Sequence, residues 1–215
     1  MQIAFMALPL KSIGQGKVHF VPTLEGAEIS LDKEYLLKDL GKVTFTKLKF
    51  YVGLTNDTSS KSYFLIDFAR KSSCLIELPQ QKNSLKSELF FWCGVDSFTN
   101  TSGIYLGALD PVNGMFWTWQ SGYIAIKLEG YIRSMKGDSV SFEYHLGGYH
   151  SPFLVYYPVI FKNTKSSDLQ IGLDVGRFIS LAHQNFPKKV MTPGQDAFLL
   201  GKIFSESFYQ LDNEK

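Results

Sequence analysis

Apolar residues along this chain recur at every second position or in short unbroken runs. These are the two patterns of strands that bury one face or both. On that basis strands are predicted over 18–21, 43–53, 63–68, 75–78, 89–95, 123–128, 140–146, 153–161 and 169–175. Clusters of turn-forming residues at 55–60, 136–138, 147–148 and 163–168 separate them. Many short strands that do not alternate with helices predict a mostly β fold, an antiparallel β-sandwich rather than a parallel α/β sheet. Pro152 and Pro158 flank the 153–157 run. A proline has no N–H to give to a ladder, so this strand is expected at an edge or interrupted. The period changes near the C-terminus, where Ala197, Leu200, Phe204 and Phe208 form one helical stripe. Thr192 as N-cap, Pro193 at the first helical position and Gln195 two further on predict where that helix starts. It is expected to pack on the sandwich. Residues 179–184 read as a second, short helix, and with no repeat and no clear linker 17–215 read as one domain.

Composition narrows the function. The chain has 215 residues, 45% hydrophobic and 15% aromatic, enough for a core in an all-β domain of about 200–250 residues. A formal charge of +2 without a basic block gives no reason to expect nucleic acid. No apolar run approaches the ~18 residues of a membrane span. The run Ile3 to Leu10, followed by Lys11, fits the tail of a secretory signal or an irregular start, so residues 1–16 are set apart. Cys93 lies in an apolar run and reads as a small core residue, and a Cys74–Cys93 bridge is open only in an oxidising compartment. No Gly-x-Ser-x-Gly elbow, Walker A loop or His-Glu-x-x-His motif is present, so nothing marks an enzyme.

The most specific stretch is 107–130, which places Met115, Trp117 and Trp119 after a glycine-bounded loop and before an alternating strand. In an extended chain Trp117 and Trp119 project from the same face. They fit two roles, ordinary packing or the lining of a site. Asp96 and Asp110 read as turn organisers, and Gly114 and Gly122 as points of tight backbone on either side of the indoles.

The segment Asp110-Pro-Val-Asn-Gly-Met-Phe-Trp-Thr-Trp-Gln-Ser-Gly-Tyr123 resembles the MbnP-like family, bacterial copper-associated proteins named for a methanobactin-associated member. Weaker landmarks follow the same order: Phe45-Thr-Lys-Leu-Lys-Phe-Tyr-Val52, Tyr63-Phe-Leu-Ile-Asp67, Gly94-Val-Asp-Ser97, Phe142-Glu-Tyr-His-Leu-Gly-Gly148 and Val190-Met-Thr-Pro-Gly194. The resemblance implies an exported, periplasmic or secreted protein that binds copper without catalysing a reaction. It also implies a dihaem peroxidase-like partner that oxidises a tryptophan, Trp117 or Trp119, to kynurenine, whose amine helps to hold the metal. Aryl amine and imidazole nitrogens suit copper, and a thioether favours Cu(I). Of the histidines, His145 lies in a landmark where relatives also carry histidine, and is the leading metal ligand. His19 is the second candidate. Relatives place a histidine where Pro22 stands, and His19 lies an odd number of positions away, on the opposite face of a regular strand. Met115 and Met191 are candidate thioether ligands, His150 reads as a loop residue and His183 as a helix end. A rival reading needs no metal: Trp117, Trp119, Tyr123 and Tyr149 as an exposed aromatic surface for glycan or protein recognition.

Overall fold

A computed structural model of the chain describes residues 16–55, 61–78, 88–103, 105–117, 121–134, 137–162 and 168–211. In chain order the elements are β1 (Lys17–Leu24), β2 (Ala27–Glu28), β3 (Glu34–Leu37), β4 (Gly41–Thr55), β5 (Lys61–Asp67), β6 (Leu75–Glu77), β7 (Glu88–Gly94) and α1 (Ser97–Thr101). There follow β8 (Ile124–Arg133), β9 (Ser139–Gly147), β10 (Tyr156–Lys162), β11 (Asp168–Asp174), α2 (Val175–Asn185), β12 (Lys189–Val190), α3 (Gln195–Ser205) and β13 (Phe208–Gln210). The fold is mostly β, two sheets with a C-terminal helix against them, as the pattern predicts. The first sheet runs β13-β11-β1-β2, with β6 also on β1; the second runs β10-β7-β4-β8-β9-β12, with β3 and β5 also paired to β4.

Among the described residues two pairings are parallel, β1 with β11 and β9 with β12. Such partners cannot be joined by a tight hairpin. Here they are far apart in the chain, and much of the second sheet is built between β1 and β11. Among the described residues β10 pairs with β7 alone, so Pro158 lies in an edge strand. That strand begins at Tyr156, later than the apolar run from Phe153 suggests.

Alternation decides which side chains meet. Along β8, Ile126, Leu128 and Ile132 turn into the interior, while Lys127, Glu129 and Tyr131 take the outer face. Phe20 of β1 meets Phe50 of β4 at 5.6 Å and Phe91 of β7 at 5.5 Å, edge to face, and so joins the two sheets. Phe204 of α3 and Phe208 of β13 close the same aromatic core against Phe50.

The C-terminal helix starts later than its cap residues predict. Gly194, at φ 155°, occupies the N-cap without a side-chain bond, and Phe198 N–H closes on its carbonyl at 3.0 Å. Thr192 and Pro193 are not part of the helix. Pro193 Cβ instead lies 3.5 Å from where a Cβ on Gly148 would be, so this stretch packs on the end of β9. Ala197, Leu200 and Phe204 are buried as expected, but Phe208 is buried as a strand residue beside Leu173. α2 is longer than predicted because Asp174 caps it, accepting from Arg177 N–H at 2.8 Å. Both cysteines are free and buried.

Candidate functional site

The segment between β7 and β8 folds back over the outer face of the second sheet. Asp96 caps α1, accepting from Thr99 N–H at 2.8 Å, and also receives Tyr63 Oη at 2.5 Å and Lys61 Nζ at 2.9 Å. Two short 3-10 turns follow, Gly107–Leu109 and Pro111–Asn113, with Asp110 accepting from Val112 N–H at 2.9 Å. Both aspartates organise turns, as read from the sequence. Gly114, at φ 69°, takes the left-handed conformation that lets the chain reverse. The returning chain buries Met115 in a small second core with Tyr51, Leu65, Val95, Leu109, Tyr123 and Ile124. Tyr123 pins this cap to the sheet: its hydroxyl donates to the Leu109 carbonyl at 2.8 Å, and its N–H to Asn100 Oδ1 at 2.8 Å. Two lysines of the sheet hold the loop backbone, Lys49 at the Asn113 carbonyl (3.4 Å) and Lys127 at the Gly114 carbonyl (2.5 Å). Burial, aided by Lys47 and Lys49 close by, holds the Lys127 amine below its usual range.

Trp117 is half-buried at the end of this loop, its backbone N–H donating to the Gly122 carbonyl at 3.1 Å. Its indole lies on β9: Cζ3 and Cη2 are 2.9 and 3.2 Å from where a Cβ on Gly147 would stand. The missing side chain of Gly147 is the seat of the indole. His145 precedes Gly147 by one strand repeat, so it projects from the same face. His145 is buried, with Nε2 2.8 Å from Glu129 Oε1. Lys47 holds the other carboxylate oxygen at 2.9 Å.

The charges of this group are set by burial and by these bonds. Burial lowers the affinity of the His145 imidazole for a proton, more than Glu129 restores it. Glu129 is pushed up by burial, but the bonds from Lys47 and His145 outweigh this and hold it below the usual carboxylate range. A neutral imidazole that donates from Nε2 to a carboxylate keeps its lone pair on Nδ1.

The remaining candidates lie elsewhere. His19 is on β1 of the first sheet, between the buried Val18 and Phe20, and so faces away from the core. The two sheets and their core separate it from His145, and the structure does not bring the two together. Met115 is fully buried beneath the loop. Trp119 lies outside the described residues. His150 is exposed just beyond β9, its ring 4.1 Å from that of Tyr149. His183 is half-buried in the last turn of α2. Among the described residues no three His, Cys, Asp or Glu side chains gather as a metal site. The aromatic surface read from the sequence does not form as expected: Tyr123 and Tyr149 are 2% and 8% exposed, because both pack into the cap that holds the loop.

Sequence reading missed Glu129, Lys47, Lys49 and Lys127 as members of this site. The alternation Lys127-x-Glu129 after the tryptophans did put both on one face. Their partners are fixed only by strand register.

A mostly β protein in which a tryptophan loop is fastened to the sheet face that carries a buried histidine paired with a half-buried glutamate is thus the class that fold and site define. A family model described as MbnP matches residues 14–192, and the chain belongs to that family. No curated protein and no solved structure matches it.

Proposed function

We propose that this protein is an exported, non-catalytic copper-binding protein whose site is built on the outer face of β9. The observation that supports this most is the seating of Trp117 on Gly147, one strand repeat from His145. The residues fit copper in kind. Nε2 of His145 is taken by Glu129, which leaves Nδ1 as the donor nitrogen, and a carboxylate on the far nitrogen is the usual support of a metal-binding imidazole. Bound copper would use the affinity of that nitrogen and of any soft neighbour.

Trp117, or Trp119 beside it in the chain, is the substrate of a dihaem peroxidase-like partner in this reading. Two equivalents of peroxide, each reduced to water, cleave the indole C2–C3 bond and leave one oxygen atom on each carbon; water then hydrolyses the resulting formamide and releases its carbon as formate. This leaves the aryl amine of kynurenine as a second nitrogen donor. The chain supplies position: the lysine-held loop presents the indole on the sheet face that carries the imidazole. Export fits the family, and among the described residues no helix is long and apolar enough to cross a membrane.

The test uses protein purified from its own host. Copper content after dialysis and the masses of the peptides holding Trp117 and Trp119 are measured together. Copper retained, with one indole peptide carrying the mass of kynurenine, is the expected result. Two unmodified indoles and no retained copper would remove the proposal.

A further inference from the structure

The cap over the outer face of the second sheet has a core of its own, apart from the aromatic core between the sheets. Tyr51 is what β4 contributes to it. Its neighbours Phe50 and Val52 turn into the main core, so Tyr51 turns outward, under the cap. There its ring is fully buried and meets Tyr123 edge to face at 5.8 Å.

The Tyr51 hydroxyl differs from its neighbour. Tyr123 Oη donates to the Leu109 carbonyl, whereas Tyr51 Oη is buried with no hydrogen-bond partner among the described residues. Burial, with Tyr123 and Asp110 close by, pushes the Tyr51 phenol far up, so it keeps its proton. A hydroxyl buried without a partner destabilises the state that buries it, since water would satisfy it. Beneath Tyr51 the sheet is held by the main core. Above it lies the segment 105–117, joined to the sheet by few bonds. Ile124 N–H donates to the Met115 carbonyl at 2.9 Å and Trp117 N–H to the Gly122 carbonyl at 3.1 Å, while Lys49 and Lys127 hold the Asn113 and Gly114 carbonyls. Other bonds stay within the segment and would survive its moving as a unit. Asn113 Nδ2, for one, donates to the Gly107 and Ala108 carbonyls at 2.8 and 3.1 Å.

We infer that residues 105–117 form a lid that lifts from the sheet, and that the unpaired Tyr51 hydroxyl sets how often it does so. Closed, the lid buries Met115 and half-buries Trp117. Open, it exposes both and lets water reach Tyr51. It thereby governs what can reach the indole, and neither part depends on a bound metal.

The test compares the full chain with Tyr51→Phe, which keeps the ring, and with Lys127→Met, which loosens the lid. Dilute hydrogen peroxide oxidises an accessible methionine: the sulfur takes one oxygen and the peroxide leaves as water. Met115 is 0% exposed and reports opening, while Met191, 40% exposed, serves as the reference within the same chain. Sulfoxide formation is timed by peptide mass, amide exchange at Trp117 and Ile124 by NMR, and global stability by urea melts. In the wild type, Met115 and both amides should react faster than global unfolding permits. Tyr51→Phe should slow all three by roughly fivefold or more and leave Met191 unchanged; Lys127→Met should speed them. Faster oxidation of Met115 in Tyr51→Phe would mean that a water satisfies the hydroxyl in the closed state, which overturns the role of Tyr51. Equal rates in the two chains would do the same. Reaction of Met115 at the global unfolding rate alone would show that there is no lid.

Discussion

Gly147→Ala tests the seat of the tryptophan directly. A Cβ at this position would stand 2.5 Å from the Tyr123 carbonyl oxygen, 2.9 Å from Trp117 Cζ3 and 3.2 Å from Cη2. Backbone on one side and a rigid ring on the other leave no flexible side-chain end to yield. Forcing a methyl group into such a filled space costs about 1–3 kcal/mol. Alanine returns part of this, about 0.5–1 kcal/mol, because the unfolded chain has less freedom to lose. A net loss of about 1 kcal/mol is expected, with both the Tyr123 backbone and the indole displaced. Stability is read from denaturant melts. The ring is followed by fluorescence in a background carrying Trp92→Phe and Trp119→Phe, so that Trp117 reports alone. Its emission should shift to the red and become easier to quench with acrylamide. Unchanged stability together with unchanged emission would show that the indole does not rest on Gly147, and the geometry argued for the site would be wrong.

Three further outcomes are expected. Lys127→Met frees the Gly114 carbonyl and should cost about 1 kcal/mol, while Trp117 becomes easier to quench; an equally protected indole would show that the lysine does not fasten the loop. Phe50→Ala empties the junction where Phe20, Phe204 and Phe208 meet and should cost about 3–5 kcal/mol in a urea melt, far more than a surface substitution. Two of the groups with shifted proton affinity, Asp96 and His183, test the pH dependence, alongside the contributions of His145 and Glu129. Burial pushes the Asp96 carboxyl up, but Tyr63, Thr99 and Lys61 together hold it below its ordinary value of 3.8. Its contribution is therefore complete above that value and is lost as pH falls through the lower folded value, and Asp96→Asn should remove that part of the acid limb. Burial also holds His183 below 6.5, so stability falls as pH drops below 6.5 towards the folded value, and His183→Gln should flatten that region of the curve.

Particular residues show where sequence reading reached its limit. Asp96 and Asp110 could be read as turn organisers because each bonds to backbone two or three residues away. Thr192 carries the same kind of signal, yet it caps nothing. Its neighbour Pro193 packs on Gly148, a contact across the fold that overrides the local preference, and Gly194 takes the cap instead. Tyr123 and Tyr149 are aromatic residues beside a loop, which suits exposure and burial equally well. Asn100, Leu109 and the other residues of the cap decide for burial.

Sequence alone determined nine of the strands, the tryptophan loop and the family of the chain, since each is written in neighbouring residues with periods of two or in a contiguous motif, whereas the short β2, β3, β12 and β13 were not read from it. It also marked His145 as a residue to watch. Which groups stand beside His145 was decided by tertiary structure. Glu129 reaches it because β8 runs antiparallel to β9 in one particular register. Trp117 lies one repeat away because the loop folds over Gly147. Register couples residues far apart in the chain through hydrogen bonds that any side chain permits, so no local pattern records it.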